Sequence, residues 1–249
     1  MSRAVSVLIL VSFLIISSFP VKAQDDCCGI GTIFSSLVQS GIYGGYGMQQ
    51  YSAEGLNDVI HSTPGLDENF KDFGTARGWR VGANLVGFRQ KEFLVALKFY
   101  YQSVRESQEA SGTYNGEDAI QKLTLDINNW NLGMSLSYIF NPNFDLRIFD
   151  IYLTWTNAKF TNEISTANAP PKDKYESPDT HTGFTADAGI VWYPFPPYLS
   201  IEVLGGYSLF AVESLNLEDS GSSFPTNTDF IDGGGFFAMA VLTVGIPFN

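Results

Sequence analysis

Five ionisable residues stand inside otherwise apolar, alternating runs: Arg80, Lys98, Asp150, Asp187 and Glu202. Two are cations and three are acids, so their chemistry is that of ion pairs. Brought together and buried, they form a network, because buried charges must be paired. Strung along a wet path, they gate or select ions. Two histidines are the other candidates. His61 is followed by Ser62, and His181 lies between Asp179 and Thr182. A base, a hydroxyl and an orienting acid make a nucleophilic site only if they meet in space. Ser, Thr and Asp are common in loops in any case, so no residue is assigned to catalysis. Cys27 and Cys28 are adjacent. Two thiols fall short of the four ligands of structural zinc, and neither a metal nor a cofactor is expected.

The elements that would position these charges are strands. Trp130 to Phe140 reads W-N-L-G-M-S-L-S-Y-I-F. Trp130, Leu132, Met134, Leu136, Tyr138 and Phe140 share one face; Asn131, Gly133, Ser135 and Ser137 share the other. This is period-2 alternation, over about the 9–11 residues of a tilted strand that crosses a bilayer. Seven further stretches follow the pattern: 37–51, 76–88, 92–105, 144–161, 182–193, 198–213 and 234–248. Two strands break phase. In 144–161 the apolar face moves from Leu146 and Ile148 to Phe149, Ile151, Leu153 and Trp155. In the fourth strand Leu123, Leu125 and Ile127 are out of phase with Trp130 onward. A bulge is the expected cause of each, and the fourth strand is expected to run past the membrane.

The connections alternate in length. Arg89-Gln90-Lys91, Asn141-Pro142-Asn143 and Pro194-Phe195-Pro196-Pro197 are short, whereas 52–75, 106–121, 162–181 and 214–233 are long. The polar faces are small and consistent, and the opposite faces carry Trp, Phe, Tyr and Leu. A soluble ligand-binding barrel would instead line its interior with apolar groups. The expected fold is therefore all-β: an eight-stranded antiparallel up-and-down transmembrane β-barrel with four long outer loops and three short periplasmic turns. Each of the five charges then lies near mid-barrel and faces the others across a narrow lumen. Arg80 and Lys98 are expected to pair with at least one of Asp150, Asp187 and Glu202. A lumen of this size is just wide enough to be filled by side chains, which favours a plug over a pore.

The start of the chain has the form of a secretory leader. Arg3 precedes an apolar run from Ala4 to Phe19, then Pro20 and Val21-Lys22-Ala23. The expected organisation is a signal peptide at 1–23, a short periplasmic segment at 24–34 and a barrel at 35–249.

From about residue 35 to 249 the chain resembles the small outer-membrane barrels of the OmpA, OmpX and OmpW type. The resemblance rests on the strand pattern and on the last strand, F-F-A-M-A-V-L-T-V-G-I-P-F-N. That strand is similar to the aromatic-terminated one such proteins present to the barrel-assembly machinery, although it ends on Asn249 with Pro247 beside Phe248. The resemblance implies a Gram-negative outer-membrane location, contact with outer-membrane lipid and lipopolysaccharide, and passage through the periplasm. Some barrels of this size modify lipid A with a histidine near the outer rim, and others form narrow pores for small or hydrophobic solutes.

The charge is uneven. The sequence carries −12 overall, and the four long connections, with Glu213 at the edge of the last, hold eighteen acids against Lys71, Lys172 and Lys174. An acidic surface repels nucleic acid. Carboxylates also suit divalent cations, but no spaced calcium-loop motif is present. The reading is a non-enzymatic surface barrel whose acidic loops serve envelope integrity, adhesion or partner binding. The alternatives are a porin-like narrow pore and a lipid A-modifying enzyme that uses His61 or His181.

Overall fold

The computed structural model describes residues 40–62, 70–114, 117–165, 172–196, 198–218, 222–224 and 228–246. The expected leader at 1–23, Cys27, Cys28 and residues 247–249 lie outside the described residues. In chain order the elements are β1 (Ser40–Ser52), α1 (Glu54–Ser62), β2 (Thr75–Gln90), β3 (Phe93–Tyr114), β4 (Glu117–Asn141), β5 (Phe144–Ser165), β6 (Lys172–Glu176), β7 (His181–Phe195), β8 (Leu199–Leu209), β9 (Asn216–Leu217) and β10 (Gly233–Ile246). Eight of these strands pair antiparallel with their neighbours, and β10 returns to β1, so the sheet closes as an eight-stranded barrel. Closure satisfies every ladder without an open edge, which a wall in hydrocarbon requires. The short strands β6 and β9 extend the sheet beyond β5 at the outer end.

The three short turns lie at the opposite end. Between β2 and β3 only Lys91 and Glu92 intervene, and Lys91 takes φ 52°, in the left-handed region that tight turns use. The connection placed at 106–121 is corrected: it is not a loop. β3 runs on to Tyr114 and β4 starts at Glu117, and the two stay paired over that whole length.

The wall has two sides of opposite character. Trp79, Trp130, Phe140, Phe195 and Phe236 are among the exposed large residues on the outside. Tyr101, Trp130 and Trp155 share one register row near the outer end, and Phe93 pairs with Tyr138 near the turns. An apolar band of about 25 Å between two aromatic girdles is the exterior of a membrane barrel. Arg80, Lys98, Asn131, Ser135, Asp150, Asp187 and Glu202 are buried inside.

The expected bulge in β5 is present: the register shifts between Arg147 and Asp150 against β7, and between Leu136 and Ser137 on β4. The expected bulge near Ile127 in β4 is not. Residues 117–136 of β4 pair with β3 without a shift. Leu123, Leu125, Ile127, Asn129 and Asn131 all point inward and are buried. The change of residue type at that point is a change of surroundings, since the strand leaves the apolar band there and its inward face becomes the greasy one.

Candidate functional site

Strand alternation aims Arg80 from β2, Lys98 from β3, Asp150 from β5, Asp187 from β7 and Glu202 from β8 into one layer. The structure brings all five together. Lys98 Nζ lies 3.3 Å from Asp150 Oδ2 and 3.7 Å from Glu202 Oε2. Arg80 Nη1 lies 3.6 Å from Asp187 Oδ2. The Arg80 guanidinium also donates twice to Gln102 Oε1, at 3.1 and 2.9 Å, and Gln102 in turn donates to Gln49. Its carbon sits 3.9 Å from the Tyr100 ring centre, so the cation rests on an aromatic face.

A sixth member was missed in the sequence. Arg147 donates to Glu202 Oε2 at 2.7 Å and lies 3.6 Å from Asp150 Oδ2. The signal was available: Leu146 and Ile148 both face outward, so the residue between them must face inward. With Arg147 the layer holds three cations and three acids. Glu202 is its best-satisfied member, since Thr243 donates to Oε1 at 2.8 Å. Tyr152 donates to Asp150 Oδ2 at 2.8 Å. Asp187 is the least satisfied: neither of its oxygens has a hydrogen-bond partner among the described residues. Room for the aromatic rings comes from glycines. A Cβ on Gly82 would lie 2.7 Å from the Tyr43 ring, and one on Gly206 2.7 Å from that of Phe237.

Below this layer, Tyr193 donates to Asp145 Oδ2 at 2.7 Å. Above it comes a buried polar row, in which Thr154 donates to Asn131 and lies within hydrogen-bond distance of Thr185, which in turn meets Ser208; beyond that row the interior is apolar. Leu123, Leu125 and Ile127 of β4, Phe160 of β5, Leu56 and Ile60 of α1, Phe73, and Phe210, Val212, Leu215, Phe230 and Ile231 near β8 and β10 form one buried cluster. Thus α1 and the outer connections cap the barrel with their own apolar residues.

Several outer acids are spent on that cap. Glu106 Oε2 accepts the Tyr51 hydroxyl at 2.7 Å and the backbone N–H groups of Gly74 and Thr75. Asp232 accepts the Ser52 hydroxyl and the Glu54 N–H at the start of α1, where a carboxylate offsets the helix dipole. Burial pushes the Tyr51 phenol well above its ordinary range, and the neighbouring Glu106 carboxylate adds to the shift.

The histidines stay apart from this layer. His61, on α1, pairs with Asp72 at 2.7 Å on an exposed surface, and the Ser62 hydroxyl donates to the Val59 carbonyl. His181 opens β7 opposite Thr156. Among the described residues no group of three or more His, Cys, Asp and Glu side chains could hold a metal ion.

No family model and no curated protein matches the chain. Solved structures similar to it include Ail, the attachment invasion locus protein of Yersinia pestis, with 11% identity and a TM-score of 0.39 over 84% of this chain and 99% of that one. The outer membrane protease OmpT of Escherichia coli has 14% identity and a TM-score of 0.41, over 84% and 95%. Neisserial surface protein A has 9% identity and a TM-score of 0.32, over 84% and 97%. At these values the likeness carries nothing about chemistry. The barrel assignment stands on this chain's own strand pairing.

Proposed function

We propose that this chain is a closed outer-membrane barrel that acts as a non-enzymatic surface scaffold. The observation that carries the reading is the double filling of the lumen: a charge-paired layer within the membrane band and an apolar cap above it. A conducting path needs a continuous wet route, and this barrel fills its width with side chains at both levels. A closed wall with an apolar exterior, which hydrocarbon demands and water does not, supports the outer-membrane reading. The exposed outer segments, acidic in sum, are then the working surface, for envelope integrity, adhesion or the binding of a partner or of divalent cations.

Cysteine labelling in intact cells tests location and sidedness. In a Cys27→Ser/Cys28→Ser background, a cysteine in place of Glu109 at the outer end should react with a membrane-impermeant maleimide. A cysteine in place of Lys91, in a short turn, should react only after the outer membrane is opened. The reverse pattern, or a chain absent from the membrane fraction, would overturn the reading.

A further inference from the structure

One register row on the outer surface carries a charge on each of five successive strands. Arg77 of β2 pairs with Arg105 of β3, Arg105 with Asp126 of β4, Asp126 with Lys159 of β5, and Lys159 with Glu176 of β6. On three of these strands the aromatic row of Tyr101, Trp130 and Trp155 lies four residues closer to the membrane centre. At ~3.3 Å per residue and a tilt near ~40°, four residues raise the charges about 10 Å above that girdle. With the girdle at the edge of the hydrocarbon and a headgroup layer roughly 5–8 Å thick above it, the backbone of the row stands at the outer margin of the headgroups, within reach of an arginine side chain that turns back toward them.

The row is not evenly compensated. Asp126 accepts both Nε and Nη2 of Arg105, and Glu176 accepts from Lys159. Arg77 is exposed and has no carboxylate partner among the described residues. Its direct cross-strand neighbour is Arg105, another cation. Like charges directly opposite each other destabilise a ladder, and an anion shared between them reverses the sign. We propose that Arg77 and Arg105 clamp the phosphate of an outer-leaflet lipid headgroup. Guanidinium forks match phosphate oxygens bidentately. Trp79, two residues below Arg77 and 47% exposed, offers an apolar surface beneath the headgroup. This inference rests on the membrane reading above.

The test titrates the refolded full chain, in neutral detergent, with diphosphorylated lipid A and counts bound lipid by native mass spectrometry. Arg77→Ala should weaken binding about tenfold, the worth of one charge-assisted contact. Arg89→Ala, an exposed arginine at the opposite end, should leave it unchanged. Asp126→Asn should tighten binding, because it releases the Arg105 fork. Arg77→Ala binding lipid A as the unaltered chain does would overturn the clamp. Inorganic phosphate binding as tightly as the lipid would overturn the lipid as its source. Insertion into phosphatidylcholine vesicles is scored separately: a chain that inserts but does not distinguish lipid A loses only the clamp, while one that fails to insert loses the membrane reading.

Discussion

The lumen has two halves built by opposite rules on the same strands. Within the apolar band β4 turns Asn129, Asn131, Ser135 and Ser137 inward and Trp130 and Leu132 outward. Beyond it the same strand turns Leu123, Leu125 and Ile127 inward and leaves Lys122 and Asp126 facing out. The register is continuous throughout. Nothing in the backbone changes; what lies outside the wall does. In lipid the apolar face must be the outer one, and in water it must be the inner one. A periodic pattern therefore reports which face meets apolar material, and the surroundings decide whether that face is inside.

Removing a charge from the inner half should have the largest effect. Glu202 serves Arg147, Thr243 and Lys98. Glu202→Ala should cost about 3–5 kcal/mol, because it strands buried cations. Urea unfolding in detergent micelles, followed by tryptophan fluorescence, reads this, and a loss below about 1 kcal/mol would mean that the layer is solvated rather than paired. In the outer half, Leu125→Ala should cost about 2–4 kcal/mol through the cavity it leaves. Neither loss should depend on salt, since buried pairs are screened much less than exposed ones; a Glu202→Ala cost that falls as salt rises would mean that water enters the charged layer.

Alkali should sharpen the comparison with a smaller effect. Burial raises the Tyr51 phenol above its ordinary value of 10.0, and burial followed by the Asp173 charge raises Tyr175. Groups with raised folded values contribute stability that is whole below about pH 10 and is lost as pH climbs through the folded value. The outer cap should therefore loosen above that pH while the barrel wall persists. Limited proteolysis at increasing pH checks this. Tyr51→Phe should cost about 1 kcal/mol at neutral pH for the lost hydrogen bond to Glu106 and should blunt the alkaline loss. Proteolysis that spares the outer segments of the unaltered chain at high pH would contradict it.

Much of this was legible in the sequence. The eight strands, the closure and the meeting of Arg80, Lys98, Asp150, Asp187 and Glu202 follow from alternation and from the positions of the short turns. Arg147 was legible too, between Leu146 and Ile148, but the phase break hid it. The apolar cap was not. Leu123, Leu125 and Ile127 looked like a slipped register because alternation carries no mark of where the bilayer ends. The cap's other residues come from segments with no regular period, and only the fold brings Leu56, Phe73, Phe210 and Phe230 together. By composition the outer acids are an acidic working surface, yet Glu106 and Asp232 hold backbone and hydroxyl donors that lie far away in sequence.

The most direct test of the closed lumen is single-channel conductance in planar bilayers of the refolded chain, alone and as Lys98→Ala and Leu56→Ala. A lumen filled at two levels should be silent in all three, because each variant leaves the other filling intact. Steady openings of the unaltered chain, changed in size by Lys98→Ala, would contradict the account and make the charged layer the gate of a pore.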